Sequence, residues 1–372
     1  MKENKVMKKL CLYFNIPSTY REEIYTRINN EYDCEWYFEE SSEPIKRFEL
    51  DGFKHLYLPI RKMGGFYWTK GMLGLLKHDC DNYIMLGATR CLSLYVFLLL
   101  KHIFYSKKRV CLWTHGYYGK ESWIEKALFK KPLLKMADRL LLYGNYARGL
   151  MIKYGFNSDK LLTIHNSLAY SEQLKLRNAI KPSGVYSNHF GNDNYVIIFL
   201  GRLTKVKKLD MILDAVSQLK NRGENYNVVF VGDGIERENL ELKAESLGLQ
   251  NQVWFYGACY DENTNAELVY NADLCVAPGN VGLTAIHSLM FGCPVITHDD
   301  LPWQMPEFEA IHEGSTGSFF ERDNLASLAD TISNWFKTRS GMREQVRHAC
   351  FDEIDTQWNP DFQMKVIEKA ML

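Results

Sequence analysis

The stretch VAPGNVGLTAIHSLMFGCPVITH, residues 276–298, decides the fold of this chain. It predicts an apolar strand that ends in Pro-Gly-Asn, a helix that begins at Gly282, and a second apolar strand from Pro294. Apolar strands joined by helices are typical of a parallel sheet that is covered on both faces. The first amides of the helix have no partner within it. With the helix dipole they form a site for an anion, such as a nucleotide phosphate.

Strand and helix patterns alternate on both sides of this stretch and predict an α/β chain with two doubly wound halves. The strand candidates are KLCLYFNI, CEWYF, NYIMLGA, RVCLWTH, RLLLYG and LLTIHN in the first half, and YVIIFLG, YNVVFVG, QVWFYG, DLCVAPG and CPVITH in the second. A polar segment, 167–194, separates the two series. We therefore expect an N-terminal domain over 1–175 and a C-terminal domain over 190–345, with a ligand cleft between them. We expect residues 346–372 to form a helix that packs back towards the N-terminal domain.

Composition excludes several classes of function. The 372 residues contain 45 Lys and Arg against 45 Asp and Glu, which argues against a nucleic-acid binder with a broad basic field. The nine cysteines form no CxxC pair, so we expect reduced thiols in a cytoplasmic protein rather than a zinc site or disulfides. The N-terminus lacks the long apolar region of a signal peptide.

One long apolar stretch, Cys91–Val110, is too short to span a bilayer because Lys101 and His102 interrupt it. We interpret it as a core helix packed on a sheet. The alternative is a peripheral membrane contact, with Lys101, Lys107, Lys108 and Arg109 facing lipid phosphates.

Basic and glycine residues follow the strands of the second half. In FLGRLTKVKKLD, Arg202 comes just after a strand and Lys207 lies five residues further on, a pair that suits a phosphate. The alternative is two solvated surface cations. Gly232 and Gly234 mark the next strand-to-helix turn, which is weak evidence alone.

The helix at Gly282 carries further candidates. Asn280 is placed either to cap this helix or to reach a ligand. His287 lies about one turn inside it, with a side chain that leans towards the helix N-terminus and hence towards the anion. Alternatively, His287 is a half-buried histidine hydrogen-bonded to a neighbouring loop.

The order and spacing of these motifs resemble the retaining GT-B glycosyltransferases of family 4. GRLTKVKKLD corresponds to G-R-L-x-x-x-K-G, VGDGIERENL to V-G-x-G-x-x-x-x-x-L, and LGLQNQVWFYG to L-G-L-x-x-x-V-x-F-x-G. VGLTAIHSLMFGCPVIT corresponds to G-F-G-L-x-x-x-E-A-M-A-x-G-x-P-V-I, and EAIHEGSTG to E-x-x-x-x-G-x-T-G. The resemblance covers residues 195–340 and extends more weakly to THGYYG and IHNSL in the first half. It implies a GT-B fold, in which two Rossmann-like domains face a central cleft.

The resemblance also implies roles for the residues that match. Arg202 and Lys207 are expected to bind the diphosphate of a sugar nucleotide and to stabilise its charge as it leaves, and His115 to lie near the reacting carbon of the sugar. The other residues expected at the donor are Gly201, Gly232, Gly234, Asn280, Gly282, Leu283, Thr284, His287 and Glu309.

Two departures from the family pattern concern the donor site. Family 4 enzymes usually have two glutamates eight positions apart, where this chain has Gly279 and His287. Lys208 stands where the family prefers glycine. A histidine can still hydrogen-bond ribose hydroxyls, and Asn280 could replace the contact to the sugar.

The function implied is that of a hexosyltransferase in cell-surface polysaccharide biosynthesis. It would move a sugar from a nucleotide sugar of UDP or GDP type to a glycan or lipid-linked acceptor, with retention, without a metal and without a further cofactor. We expect it in the cytoplasm or at the inner face of the cytoplasmic membrane. The alternatives are a sugar-nucleotide or glycan-binding pseudoenzyme and a GT-B nucleotide-sugar epimerase. A structural scaffold would leave the motifs unexplained.

The acceptor site is the least defined by sequence. Ser18, Tyr20 and Arg21 follow the first strand, where such enzymes often place an acceptor loop. The alternative is that these residues form a helix cap and a solvated first turn.

Overall fold

Two parallel sheets organise the chain, one in each of two units. The computed structural model describes residues 7–40 and 46–372. The first unit contains the chain up to Ala169 together with Pro360–Leu372, and the second unit is Tyr170–Asn359.

The strands are β1 Lys9–Phe14, β2 Asp33–Glu39, β3 His55–Leu58, β4 Ile60–Met63, β5 Phe66–Thr69, β6 Asn82–Leu86, β7 Arg109–Thr114, β8 Arg139–Leu142, β9 Leu161–Thr163, β10 Val196–Leu200, β11 Asn227–Val231, β12 Val253–Gly257, β13 Leu274–Ala277, β14 Val295–His298 and β15 Gly317–Phe320. The helices are α1 Glu22–Glu31, α2 Leu92–Phe104, α3 Lys131–Lys135, α4 Asn145–Lys153, α5 Tyr170–Ala179, α6 Val185–Phe190, α7 Asp210–Asn221, α8 Arg237–Ser246, α9 Glu262–Asn271, α10 Leu283–Met290, α11 Leu325–Arg339, α12 Arg343–Gln357 and α13 Pro360–Ala370. The segment 346–372, predicted as one helix, contains most of α12 and all of α13, and only α13 belongs to the first unit.

The first sheet has seven parallel strands in the order β3-β2-β1-β6-β7-β8-β9, and β4 and β5 form a separate antiparallel hairpin. Strand β1 lies in the middle of this sheet and is buried on both faces. Cys11 and Tyr13 pack into the core on one face of the sheet, whereas Leu10, Leu12 and Phe14 pack into the core on the other. A strand that is buried on both faces requires the continuous apolar run that the sequence predicted.

The second sheet has six parallel strands in the order β12-β11-β10-β13-β14-β15. The strand order reverses between β1 and β6 in the first sheet and between β10 and β13 in the second. Loops at the carboxyl ends of the strands on either side of such a reversal are where open α/β sheets bind ligands. In the second unit these are the loops that carry Arg202 and Gly282.

Several elements differ from the sequence-based expectation. Strands β3, β4, β5 and β15 were not predicted, because they are short and mix polar or glycine residues with apolar ones. A 3-10 turn, Thr19–Arg21, precedes α1, and neither its flanking residue Ser18 nor the residue preceding α1 makes a side-chain capping bond. The interpretation of Ser18 to Arg21 as a cap with a solvated turn is therefore wrong, since Ser18 and Arg21 are both buried.

Candidate functional site

Three loops meet at the carboxyl edge of the second sheet through backbone contacts. A Cβ atom on Gly232 would lie 1.9 Å from the carbonyl oxygen of Gly201, and one on Gly234 would lie 2.3 Å from that of Leu203. Two hydrogen bonds join the same loops, from the Gly201 amide to Val231 O and from the Leu203 amide to Asp233 O, both 2.9 Å. Only glycine allows this approach at positions 232 and 234, which gives the Gly-x-Gly pattern its structural reason.

Gly279 provides the same kind of contact from the loop after β13. Its amide donates to Lys207 O at 3.0 Å, and a Cβ atom there would lie 2.1 Å from Val206 O. The family pattern has a glutamate at this position. No side chain fits here as long as the loop of Lys207 lies this close, so the chain cannot present a carboxylate from position 279 in this conformation.

Lys207 is the cation that these loops position most closely. Its Nζ donates to the carbonyl oxygen of Asn280 at 2.7 Å and to Asn280 Oδ1 at 2.9 Å. It also lies 4.0 Å from the point that a Cβ atom on Gly282 would occupy. Burial lowers the pKa of Lys207 to about 8, and the nearby charge of Arg202 acts in the same direction. The ammonium is thus partly desolvated, as an anion-binding cation in a cleft would be. Arg202 itself is exposed.

Helix α10 begins beside this ammonium. Gly282 has φ 56° and ψ −152°, a conformation that is essentially restricted to glycine. The first backbone amide of the helix that donates a hydrogen bond to a preceding carbonyl is that of Ala285, to Gly282 O at 3.1 Å. The amides of residues 282–284 therefore have no acceptor within the helix. Thr284 Oγ1 donates to Leu200 O at 3.0 Å, which ties the helix start to the end of β10. Leu283 is the first helical residue and is half-buried.

A buried glutamine, which the sequence did not indicate, fixes the approach to α10. Gln304 Oε1 accepts from the Val281 amide at 2.9 Å, while its Nε2 donates to Thr297 Oγ1 at 2.8 Å and to His298 O at 3.0 Å. Gln304 therefore joins the end of β14 to the turn before Gly282. Its sequence context, LPWQMP, contains no pattern that would have identified this role.

His287 is engaged with a carboxylate on the neighbouring helix. Its Nε2 lies 2.8 Å from Glu262 Oε1, and Gln173 Nε2 donates to the same oxygen at 2.8 Å. The alternative hypothesis described His287 as a half-buried histidine hydrogen-bonded to a neighbouring loop. The structure shows such a hydrogen bond, but its partner Glu262 is the first residue of helix α9. Burial raises the pKa of Glu262, but the hydrogen bonds from His287 and Gln173 outweigh it and keep this pKa below its usual value.

The acidic residue whose charge acts on Lys207 is Glu307. Glu309 lies half-buried in the 3-10 helix Pro306–Ala310. Glu307, two residues earlier, is 2% exposed, and its charge raises the pKa of Lys207 against the effect of burial. The motif match concerned Glu309 alone, as a candidate for the donor pocket, so the effect of Glu307 on Lys207 was not predicted.

In the first unit, His115 directly follows β7 and is neutral. Burial lowers its pKa to about 4, and the positive charges of Arg21 and Lys130 add to this. Its Nδ1 is buried and has no hydrogen-bond partner within residues 7–40 and 46–372. The loop after it is held by Glu121, which accepts from the Tyr118 amide at 2.6 Å and from Lys130 Nζ at 2.6 Å.

Arg21 is the second unusual group in this unit. The residue is 8% exposed, and its guanidinium donates to the hydroxyls of Tyr25 and Tyr143. Its Cζ lies 5.2 Å from the centre of the Trp113 ring and 5.6 Å from that of Tyr20. Within the part of the chain that the structure describes, no carboxylate forms an ion pair with it. Such a buried charge is costly unless an anion or aromatic faces compensate it.

The structure thus brings the predicted residues together in two groups. Gly201, Gly232, Gly234, Lys207, Asn280, Gly282 and Thr284 surround the start of α10 in the second unit. His115 and Arg21 both contact Tyr143 in the first unit, since the rings of His115 and Tyr143 are 4.5 Å apart. Among the described residues, no group of three or more His, Cys, Asp or Glu side chains is arranged to hold a metal ion. No helix of the described ranges is long and apolar enough for a membrane span.

Solved structures share this fold along nearly the whole chain. The lipopolysaccharide outer core galactosyltransferase WaaB superposes with a TM-score of 0.72 at 14% identity, over 98% of this chain and 99% of that one. Anabaena HepE, solved in complex with UDP, superposes with a TM-score of 0.70 at 16% identity, over 98% of this chain and 100% of that one. The chain is therefore a GT-B protein, and the predicted fold class is confirmed.

The sequence comparisons concern mainly the second unit. Residues 186–350 match the family described as Glycosyl transferases group 1. Putative glycosyltransferase EpsD of Bacillus subtilis is 24% identical over 177 residues, which cover 46% of this chain and 45% of EpsD. A Campylobacter jejuni alpha-1,4-N-acetyl-D-galactosaminyltransferase is 38% identical over 170 residues, 45% of this chain and 46% of that protein. Residues 186–350 therefore match the family that the motifs resemble, and the chain spans less than half the length of these curated relatives.

Proposed function

We propose that this protein is a retaining glycosyltransferase that binds the diphosphate of a nucleotide sugar at the start of α10. The observation that carries the proposal is the position of the Lys207 ammonium beside the amides of residues 282–284. A partly desolvated cation and preorganised N–H donors stabilise charge that develops on a leaving diphosphate. They supply positive charge that a metal ion would otherwise provide, so we propose a metal-independent reaction.

Arg202 completes this group of donors in the proposal. It is exposed, and no hydrogen bond or ion pair holds its guanidinium within residues 7–40 and 46–372, whereas Lys207 is already held by Asn280. In the transfer, the bond between the anomeric carbon and the diphosphate oxygen breaks, the acceptor oxygen bonds to the same face of the sugar, and the proton of the acceptor hydroxyl passes to the departing diphosphate. His115, neutral at physiological pH, is proposed to hydrogen-bond the donor sugar without adding charge.

The first unit is proposed to bind the acceptor. Arg21 supports this, because its buried guanidinium has no carboxylate partner within residues 7–40 and 46–372 and therefore suits a substrate that carries an anionic group. The name of the Campylobacter jejuni relative specifies an undecaprenol-linked glycan as its substrate. We propose a glycan or lipid-linked saccharide acceptor of this general kind, a hexose as the transferred sugar, and a place in cell-surface polysaccharide synthesis.

The test uses the full chain with a panel of UDP and GDP sugars, with and without glycan acceptors, in the presence of EDTA. We expect one donor to support transfer with retained anomeric configuration, and Lys207→Ala to lower the rate about a hundredfold, since one such contact contributes about 3 kcal/mol. Lys205→Ala is the matched control, because Lys205 is exposed two residues away and should leave the rate unchanged. Equal rates in both variants would remove the assignment of Lys207.

A nucleotide-binding protein without transferase activity is the second candidate. It is favoured by the absence of both glutamates of the family pattern, since Gly279 cannot accept a side chain and His287 is bonded to Glu262. This candidate predicts that calorimetry detects nucleotide binding while no donor is hydrolysed or transferred. An epimerase would instead convert the nucleotide sugar with no acceptor present.

A further inference from the structure

The first unit exposes large apolar side chains on three neighbouring elements. Trp123, Ile124 and Leu128 are 76%, 56% and 61% exposed, and they lie at and within the π-helical segment Glu125–Lys130 that leads into α3. The other exposed members are Leu99, Ile103 and Phe104 on α2 and Met63 at the tip of the β4–β5 hairpin. We call these seven residues the apolar face.

Contacts beneath the surface show that the three elements adjoin. The ring of Phe66 on the hairpin packs against that of Phe129 on the π-helical segment, with 5.3 Å between their centres. The hydroxyl of Tyr95 on α2 donates to Phe129 O at 3.1 Å. Tyr95, Leu99 and Ile103 are spaced four residues apart, so they share one side of α2 that leads outward from this contact. The apolar face is thus one surface rather than scattered single side chains, which would need no explanation.

The charge around the apolar face is mostly positive. Between Leu92 and Ala137 the sequence contains nine Lys and Arg but only two Glu, in a chain whose total charge is zero. One of the two glutamates, Glu121, is buried and paired with Lys130 at 2.6 Å. The exposed or half-buried cations are Lys107, Lys108, Arg109, Lys120, Lys126, Lys131 and Lys135.

One lysine of the membrane-contact hypothesis does not belong to these surface cations. Lys101 was expected to face lipid phosphates in the alternative interpretation of the α2 stretch, but it is 3% exposed and forms an ion pair with Asp138 at 2.7 Å. Most of α2 is a core helix, as first interpreted, because Leu94, Phe97 and Leu98 are fully buried. Only its last turns and its outer side contribute to the apolar face.

We propose that the apolar face docks onto the surface of an anionic lipid bilayer. Exposed Trp, Ile, Leu and Phe side chains, with lysines before and after them in the chain, match a layer of negatively charged headgroups above acyl chains, where Trp is also the preferred interfacial residue. A protein partner or a second copy of this chain would need acidic groups to meet these cations, and between Leu92 and Ala137 this chain has only Glu125 besides the buried Glu121. This docking is independent of the proposed transfer reaction, because none of its residues belongs to the candidate site.

The test measures sedimentation of the full chain with vesicles of phosphatidylcholine alone or mixed with phosphatidylglycerol. We expect binding only to the anionic vesicles, weakened by added salt. The double variant Trp123→Ser/Leu128→Ser should lose binding at least tenfold, whereas Leu242→Ser should not, since Leu242 is 59% exposed on α8 of the other unit. Lys131→Glu/Lys135→Glu should also lose binding about tenfold or more. The matched control is Lys365→Glu/Lys369→Glu on α13.

Nucleotide affinity and thermal unfolding of every variant serve as checks of folding, and both should match the wild type. Failure of the wild type to bind anionic vesicles would overturn the proposal, as would equal binding by the apolar variant and the Leu242 control. A wild-type dimer in solution that Trp123→Ser dissociates, without any vesicle binding, would show instead that the apolar face joins two copies of the chain.

Discussion

The low pKa of Lys207 should make the proposed nucleotide binding sensitive to alkaline pH. Burial brings this pKa to about 8 in the free protein. A bound diphosphate places negative charge beside the ammonium and raises the pKa again, so binding above pH 8 takes up a proton. Affinity should therefore be constant below pH 8 and should fall as the pH rises through it.

The size of the effect follows from the titration. With a pKa of about 8, about nine-tenths of Lys207 is charged at pH 7 and about one-tenth at pH 9. If the pKa in the complex is near or above its ordinary value of about 10.4, the dissociation constant should rise about tenfold between these two pH values. The terminal phosphate of the nucleotide contributes little to this change, because with a pKa of about 6 it is already about nine-tenths ionised at pH 7.

Isothermal titration calorimetry with UDP and GDP from pH 6.5 to 9.5 measures the dissociation constant at each pH. Repeating it in buffers of different ionisation enthalpy gives the number of protons taken up. Lys207→Arg should abolish the alkaline fall, because a guanidinium stays charged throughout this range. Lys205→Ala should keep it. Wild-type affinity that does not change from pH 7 to 9.5, or an equal fall in Lys207→Arg, would refute the assignment of Lys207 to the diphosphate.

Three further predictions concern the framework of the site. Gly232→Ala should lower the free energy of unfolding by about 1–3 kcal/mol in urea titrations, because the new Cβ would clash with Gly201 O, whereas Gly149→Ala on exposed α4 should not. Gln304→Ala should cost about 1–3 kcal/mol by the same assay, since it leaves the buried Val281 amide without an acceptor, and it should weaken nucleotide binding. His298 is buried, and its pKa is lowered to about 4, so on acidification the unfolded state takes up a proton before the folded state does. The free energy of unfolding should therefore fall between pH 6.5 and 4, by up to about 3 kcal/mol. His298→Gln should flatten this fall, and an unchanged slope would exclude His298 as its source.

The sheet architecture was accessible from sequence because central parallel strands are buried on both faces. Strands such as β1 and β10 therefore appear as continuous apolar runs that few other structures need. The hairpin β4–β5 and strand β15 escaped prediction for the opposite reason. They are short and lie outside the sheet or at its edge, where residues such as Arg61 and Lys62 stay exposed.

For the candidate site, the sequence located the segments that contribute residues, but not the hydrogen-bond partners of those residues. The glycines and the helix start follow from local backbone requirements, so Gly232 and Gly282 could be identified from their neighbours in the chain. The apolar face around Trp123 could not, because its members come from three segments and their exposure depends on what the rest of the unit covers. The same holds for Gln304, whose three hydrogen bonds reach back to the ends of β13 and β14.

The amino-acid sequence by itself predicted the two doubly wound sheets, the resemblance to the family, and the presence of basic and glycine residues after β10, β11 and β13. Only the tertiary structure decided that Lys207 hydrogen-bonds to Asn280, 73 residues away, that the charge of Glu307 acts on this lysine, and that His287 hydrogen-bonds to Glu262. The physical reason is that backbone conformation and apolar periodicity are encoded within a few neighbouring residues. Hydrogen-bond partners and desolvation, by contrast, depend on the strand order that brings distant loops to the same edge of a sheet.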